Sequence, residues 1–95
     1  IKKIFEKNLN NLKMSSTKSS IGHLLGASGS VEAIYSIMTI NKNQVPSTLN
    51  LEDPIEGSED LDLVPKNSID HKVDCILSNS FGFGGTNASL IFKSL

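Results

Sequence analysis

Arginine is absent from this chain, and all nine of its basic side chains are lysines. Against ten acidic residues they leave a formal net charge of −1. That balance gives no electrostatic argument for nucleic acid, whose readers carry a basic stripe. With Asn and Lys plentiful, the missing arginine reads as the residue bias of an AT-rich genome rather than as a functional signal. A single cysteine, Cys75, excludes an internal disulfide framework and any multi-cysteine metal site, and it implies a reducing setting. No run of about 18 uncharged apolar residues occurs, so no membrane span is expected. No basic segment leads into an apolar one, so no secretory signal is visible. The acidic stretch from Glu52 to Asp62 lacks the D-x-D-x-D-G spacing of a calcium loop and reads as a solvated connection. Ninety-five residues make one small domain or a piece of a larger one. A chain of this size buries only about 60–65% of its unfolded surface. It opens on Ile1 rather than Met, which raises the expectation of a missing upstream part.

Periodicity divides the chain. Ile1, Ile4, Phe5, Leu9 and Leu12 oppose Lys2, Lys3, Glu6 and Lys7, which predicts an amphipathic helix over residues 1–12 that ends near Asn8, Asn10 and Asn11. Residues 13–17 carry a weak strand signal. From about Ile21 to Ile40 the pattern is helical and apolar most of the way round, which predicts a buried helix. Its early half holds Gly22, Gly26, Ala27, Ser28 and Gly29, and glycine inside a helix needs a compensating close backbone approach. Asn41 to Gln44 should end it. A long connection follows over 45–60, then a short edge strand around Leu61, Leu63 and Pro65, and a polar turn from Ser68 to Asp74. Val73 to Asn79 and Ala88 to Lys93 read as an antiparallel strand pair.

Two runs could carry chemistry. The first is Lys18-Ser19-Ser20-Ile21-Gly22-His23. His23 either hydrogen-bonds a neighbour at a helix start or acts as a neutral imidazole there, because the positive helix end disfavours the imidazolium. A neutral ring has one N–H that can donate to a developing oxyanion. Lys18 is either a surface lysine or a buried ammonium, which would need a carboxylate. Glu32 is the only acid between Glu6 and Glu52 and lies in an apolar helical stretch. The second run is Asn79-Ser80-Phe81-Gly82-Phe83-Gly84-Gly85-Thr86-Asn87. It lacks the last glycine of G-x-G-x-x-G and the Lys-Ser/Thr ending of a phosphate loop. It is a tight turn between strands, but two interleaved phenylalanines would expose aromatic surface unless a pocket forms. Cys75 lies in an apolar strand pattern and reads as inert core. His71 reads as a solvated turn residue.

Together the two runs resemble the C-terminal part of the β-ketoacyl-acyl carrier protein synthases, most of all the synthase II type. The resemblance covers nearly the whole chain. It implies an α/β, thiolase-like fold, of which residues 1–95 would be most of the C-terminal half: a mixed sheet with a buried helix and an outer helix. It implies that His23 hydrogen-bonds a malonyl thioester carbonyl, that Lys18 organises the polar network and pairs with Glu32, and that the Phe83 N–H is half of an oxyanion hole. Phe83 would gate the acyl pocket on a loop made by Phe81, Gly82, Gly84 and Gly85, held by Asn79 and Asn87. The implied activity is decarboxylative Claisen condensation giving 3-oxoacyl-acyl carrier protein. The nucleophilic cysteine and a first histidine would precede residue 1, so the chain alone is expected to be inactive. No metal or organic cofactor is implied beyond the phosphopantetheine arm of acyl carrier protein. A homodimer is implied, in the bacterial cytoplasm or a plastid or apicoplast-type organelle. The alternatives are a polyketide synthase ketosynthase domain and an inactive chain-length-factor-like partner. The end at Leu95 favours a free-standing synthase over the first, and intact Lys18 and His23 argue against the second.

Overall fold

The computed structural model describes residues Ile1–Leu95, which form two compact units. The first comprises Ile1–Gly22 and Val45–Ile69, the second His23–Gln44 and Asp70–Leu95.

In the first unit, helix α1 covers only Lys2–Phe5, and a 3₁₀ turn follows at Leu9–Asn11. The helix predicted over 1–12 is therefore broken. The asparagines explain it: their short amides favour turns over helix interior. The Asn8 N–H bonds to the Phe5 carbonyl at 2.7 Å, and Asn8 leaves helical space at φ −132°. The weak strand at 13–17 reduces to one parallel bridge between Lys13 and Asp62. The Lys13 ammonium meets the Asp62 carboxylate at 2.7 Å, so that aspartate of the acidic stretch is structural. Lys2 and Asp60 form a second, more exposed pair at 2.9 Å. Helix α2 spans Lys18–Ile21 and stops at Gly22.

The edge strand expected around Leu61–Pro65 is likewise two isolated bridges, Lys13 to Asp62 and Thr48 to Pro65. Val64 and Lys66 interrupt it, with φ of 49° and 69°. Positive φ is incompatible with an extended run and uncommon for a β-branched residue. Val64 is nevertheless the most buried side chain, 1% exposed. Its N–H donates to Asp62 Oδ1 at 3.0 Å and its carbonyl accepts the Thr48 N–H at 2.8 Å, so its unusual conformation is held from both sides.

In the loop between, the Glu59 carboxylate accepts the Gly57 N–H at 2.8 Å. Its own backbone N–H and that of Gly57 hold its pKa below the ordinary value of 4.5. A depressed acid stabilises the fold above its unfolded pKa and loses that contribution as pH falls through the folded one. Glu59→Gln should therefore weaken the loop slightly at neutral pH and not at all in strong acid. Carboxyl chemical shifts followed against pH check the sign.

The second unit is built on helix α3, Ser28–Lys42, preceded by a 3₁₀ turn at Leu25–Ala27. The helix expected from Ile21 thus begins seven residues late. Gly22 at φ 75° and Leu25 at φ 52° break any helix there. Asn43 closes α3 in left-handed geometry, as an Asn can. Strands β1, Gln44–Val45, and β2, Ile69–Asp70, form a minimal pair. Strands β3, Cys75–Phe81, and β4, Asn87–Lys93, pair antiparallel with Leu77 opposite Ile91 and Phe81 opposite Asn87. The strand pair was legible in the sequence, with its first strand starting two residues later than expected. His71 is half-buried rather than solvated, and its N–H donates to the Asn43 carbonyl at 2.9 Å.

Helix α3 is not the buried apolar helix expected. Ser28, Ser36 and Thr39 are buried, whereas Ile34, Ile37 and Met38 are exposed. Glu32 lies on the buried stripe and receives the Ser80 hydroxyl of β3 at 3.4 Å. The helix therefore sets Glu32 against β3 while Ile34 and Met38 stay exposed, and Ile37 and Ile40 border a cleft with Phe92 and Lys93 of β4. The outer sheet face repeats the exposure: Leu77, Phe81 and Ile91 are exposed, while Ile76, Ser78 and Ser80 are partly covered.

Candidate active site

Every candidate group of the second unit lies before α3, on it, or on the β3–β4 hairpin. His23 is not in a helix's first turn, as the sequence suggested. It stands on the irregular segment ahead of α3, exposed, and its ring is tied to the helix from outside. The Nδ1 atom lies 2.8 Å from the Ser28 hydroxyl, and the same oxygen accepts the Leu24 N–H at 2.9 Å. Ser28 is the first residue of α3 and is 8% exposed. The ring is therefore held at one nitrogen, Nδ1, by a fixed, covered group, and Ser28 does not engage Nε2. The hydrogen bond at Nδ1 is what orients the ring.

Sequence reasoning missed two serines of this unit, Ser28 and Ser80. Ser28 was counted as one of several small residues that permit close packing. It does not cap the helix, whose N-cap is Ala27, and instead accepts the upstream Leu24 N–H, a relation with no sequence signature. Ser80 lies on the inward face of β3 and engages Glu32, a relation across 48 residues with no local signature. The close backbone approach expected at the glycines is not found: an added Cβ would lie 3.9 Å from the Ser80 hydroxyl at Gly29, an ordinary contact, and would meet nothing within 4 Å at Gly22 or Gly26.

The aromatic loop spans residues 82–86. The Gly82 N–H donates to the Thr86 carbonyl at 2.8 Å, and Phe83–Gly85 form a 3₁₀ turn. Gly84 and Gly85 adopt φ of 81° and 83°, conformations natural to glycine. No backbone carbonyl takes the Phe83 N–H, so that donor is open. Asn79 does not hold the loop. Its Oδ1 accepts the Ser89 hydroxyl at 2.7 Å across the strands, because three residues before the loop it already faces its cross-strand partner. Asn87 acts through its place in the ladder, opposite Phe81. The rings of Phe81 and Phe83 are both exposed, so no pocket encloses them in this chain.

The tie at Gly82 has little room. An added Cβ there would stand 3.0 Å from the Thr86 carbonyl oxygen. Gly82→Ala should push that carbonyl away and weaken this backbone clasp, at a cost of about 1 kcal/mol. Faster amide hydrogen exchange at position 82 is the expected readout.

Lys18, the first residue of α2, belongs to the first unit and is half-buried. Its helix ends at Gly22, whose N–H bonds to the Lys18 carbonyl at 2.9 Å. Gly22 itself sits at φ 75°, ψ −175°. Cys75 is a free and exposed thiol, not the buried core residue expected. It opens β3 on the outer face, with Lys93 directly opposite.

Comparison with known proteins bears on these residues. The family described as Beta-ketoacyl synthase, C-terminal domain, matches residues 1–52. A 3-oxoacyl-[acyl-carrier-protein] synthase 2 of Coxiella burnetii is 50% identical over 98% of this chain and 22% of its own length. The synthase 2 of Rhizobium meliloti is 56% identical over 86% of the chain and 19% of its own length. The chain thus spans about a fifth of the curated relatives it matches. Among solved structures, a Beta-ketoacyl synthase from Burkholderia phymatum superposes with TM-score 0.82 at 37% identity, over 88% of this chain and 21% of the other. A type II PKS ketosynthase in complex with its acyl-carrier protein superposes with TM-score 0.88 at 26% identity, over 99% of this chain and 23% of the other.

Proposed function

The chain belongs to the β-ketoacyl synthases and carries part of their thiolase-like α/β fold, and from that premise we propose that it serves fatty acid chain elongation. Residues 1–95 are read as most of the C-terminal half of the condensing enzyme. In the proposed reaction an acyl group passes from acyl carrier protein to a cysteine outside this chain, with the carrier thiol leaving. Malonyl-acyl carrier protein then loses carbon dioxide. Its carbanion attacks the acyl thioester, the cysteine thiolate departs, and a 3-oxoacyl-acyl carrier protein two carbons longer is released.

The observation that carries this reading is His23 itself. It closes the run Lys18-Ser19-Ser20-Ile21-Gly22-His23 and has Nδ1 engaged by Ser28, leaving Nε2 to meet an anion. A donor aimed at the thioester oxygen stabilises the enolate that forms as carbon dioxide leaves. The open Phe83 N–H supports a second anion-binding role, at the oxygen of the acyl intermediate. Gly84 and Gly85 support a loop that can re-form around entering and leaving acyl chains, with Phe83 as its gate. Lys18 and Glu32 are proposed to organise the polar surroundings of the histidine. The exposure of His23 and Phe83 fits a site completed by the remaining four fifths of a protein of the relatives' length. Acyl carrier protein is the proposed partner and a homodimer the proposed assembly. No helix of the chain is long and apolar enough to cross a membrane. The bacterial cytoplasm, or an organelle of plastid type, is the proposed location.

The test is direct. The natural-length polypeptide carrying these residues should convert acyl- and malonyl-acyl carrier protein into the 3-oxoacyl product, read by intact-carrier mass spectrometry. Absence of product with both loaded carriers would refute the proposal. A second reading, a polyketide ketosynthase, is favoured by the overlap with the type II PKS ketosynthase at TM-score 0.88. Repeated extension without reduction between rounds would select it. The higher identity to the synthase 2 relatives favours single elongation steps.

A further inference from the structure

We infer that Ser28 is a positioning residue that selects the tautomer of His23, keeping the proton on Nε2. The inference rests on the catalytic reading of His23 given above. Its basis is the balance of donors and acceptors around one hydroxyl. A serine hydroxyl has a single proton and two lone pairs. One lone pair of Ser28 Oγ is taken by the Leu24 N–H at 2.9 Å. The hydroxyl's other partner is His23 Nδ1 at 2.8 Å.

Two arrangements satisfy those distances. If Nδ1 carried the proton, Ser28 Oγ would receive two N–H groups, and its own proton would have no acceptor on a residue only 8% exposed. A covered donor without a partner is strongly disfavoured. If the Ser28 hydroxyl donates to Nδ1, every group is matched: Leu24 N–H to oxygen, and hydroxyl proton to Nδ1. The ring's single proton then resides on Nε2, away from the helix. The serine is well placed to enforce this. It is anchored as the first residue of the 15-residue α3, so the Oγ is held on a rigid element while the histidine stands on an irregular segment. The Leu24 N–H also prevents the hydroxyl from rotating freely, because it fixes which side of the oxygen is an acceptor. One side chain therefore fixes the ring's orientation and its tautomer together.

The experiment uses the natural-length polypeptide labelled with ¹⁵N in histidine. Long-range ¹H–¹⁵N correlation separates protonated from unprotonated ring nitrogens. The neutral His23 ring of the unaltered protein should show a single tautomer with Nδ1 unprotonated. Ser28→Thr, which keeps the hydroxyl, should preserve that signature, and Ser28→Ala should replace it with averaged ring shifts. Malonyl-thioester decarboxylation should fall in kcat by roughly tenfold in Ser28→Ala with KM little changed. That is less than the ~10²–10³-fold expected for losing an oxyanion donor outright. A protonated Nδ1 in the unaltered protein overturns the inference without recourse to any variant. An unchanged Nε2–H signature in Ser28→Ala overturns it as well. If the tautomer responds to Ser28 while neither Ser28→Ala nor His23→Ala affects decarboxylation, the catalytic reading of His23 fails and the serine has no catalytic part to position. The spectroscopic coupling then stands as a separate result.

Discussion

His23→Ala is expected to abolish condensation while leaving acyl transfer to the enzyme's cysteine intact. The alanine removes the only side chain of the pre-α3 segment that can donate to a thioester oxygen, and it leaves Ser28 and Leu24 with their own hydrogen bond. Removing one preorganised donor from an oxyanion site costs about 10²–10³ in kcat, or roughly 2.7–4 kcal/mol of transition-state stabilisation. The loss should fall on decarboxylation of the malonyl group, because that is the step in which charge develops on the oxygen that His23 is proposed to meet. Acyl loading uses a different carbonyl. Rapid quenching after mixing with acyl-acyl carrier protein alone should reveal normal acyl-enzyme. Carbon dioxide release on adding malonyl-acyl carrier protein should be slowed by at least two orders of magnitude. Normal chain elongation by this variant would remove the role assigned to His23. Equal loss of loading and decarboxylation would point instead to a misfolded segment.

Gly22→Ala should be the most damaging single methyl group near the site. The backbone of Gly22 lies at φ 75°, ψ −175°, a region of conformational space occupied essentially by glycine alone. Forcing another residue into such a region costs of order 1–3 kcal/mol. No atom lies within 4 Å of the Cβ that alanine would add. The penalty is therefore one of backbone conformation and not of collision. That distinction can be measured. Alanine and serine should destabilise alike in urea melts, since only the presence of a Cβ matters. D-alanine, introduced by ligation, should be tolerated. The adjoining residue is His23, so a backbone shift that relieves the strain at position 22 would move the residue that carries the imidazole. Activity should fall with stability. An unchanged unfolding midpoint in Gly22→Ala would show that another conformation is accessible there at no cost.

What the sequence disclosed, and what it hid, follow from how local each determinant is. The β3–β4 hairpin was visible because alternating apolar residues flank a glycine-rich turn, and both signals lie within a few positions of each other. The run from Lys18 to His23 was visible because its residue types and spacing are specific. Helix boundaries were less legible. The pattern from Ile21 to Ile40 is helical in composition, but Gly22 and Leu25 take positive φ, and hydropathy does not record dihedral angles. The edge strand near Leu63 failed for the same reason, because Val64 prefers extended backbone and adopts φ 49° here. Cys75 was misjudged because alternation reveals that a strand has two faces, not which of them the rest of the chain covers. Ser28 and Ser80 were invisible as hydrogen-bond partners of His23 and Glu32. Each acts through a single oxygen on a partner that tertiary structure supplies, and hydroxyls are too common to signal anything by type.

Helix α3 turns Ser28, Ser36 and Thr39 inward and leaves Ile34, Ile37 and Met38 outside. A polypeptide of these 95 residues made in isolation would therefore be a sticky colloid. It should light up hydrophobic dyes, self-associate as its concentration rises, and need a chaperone or detergent during purification. Glutamate or lysine at positions 34 and 38 would make such a peptide easier to handle for spectroscopy, since neither side chain takes part in the hydrogen bond between Ser28 and His23.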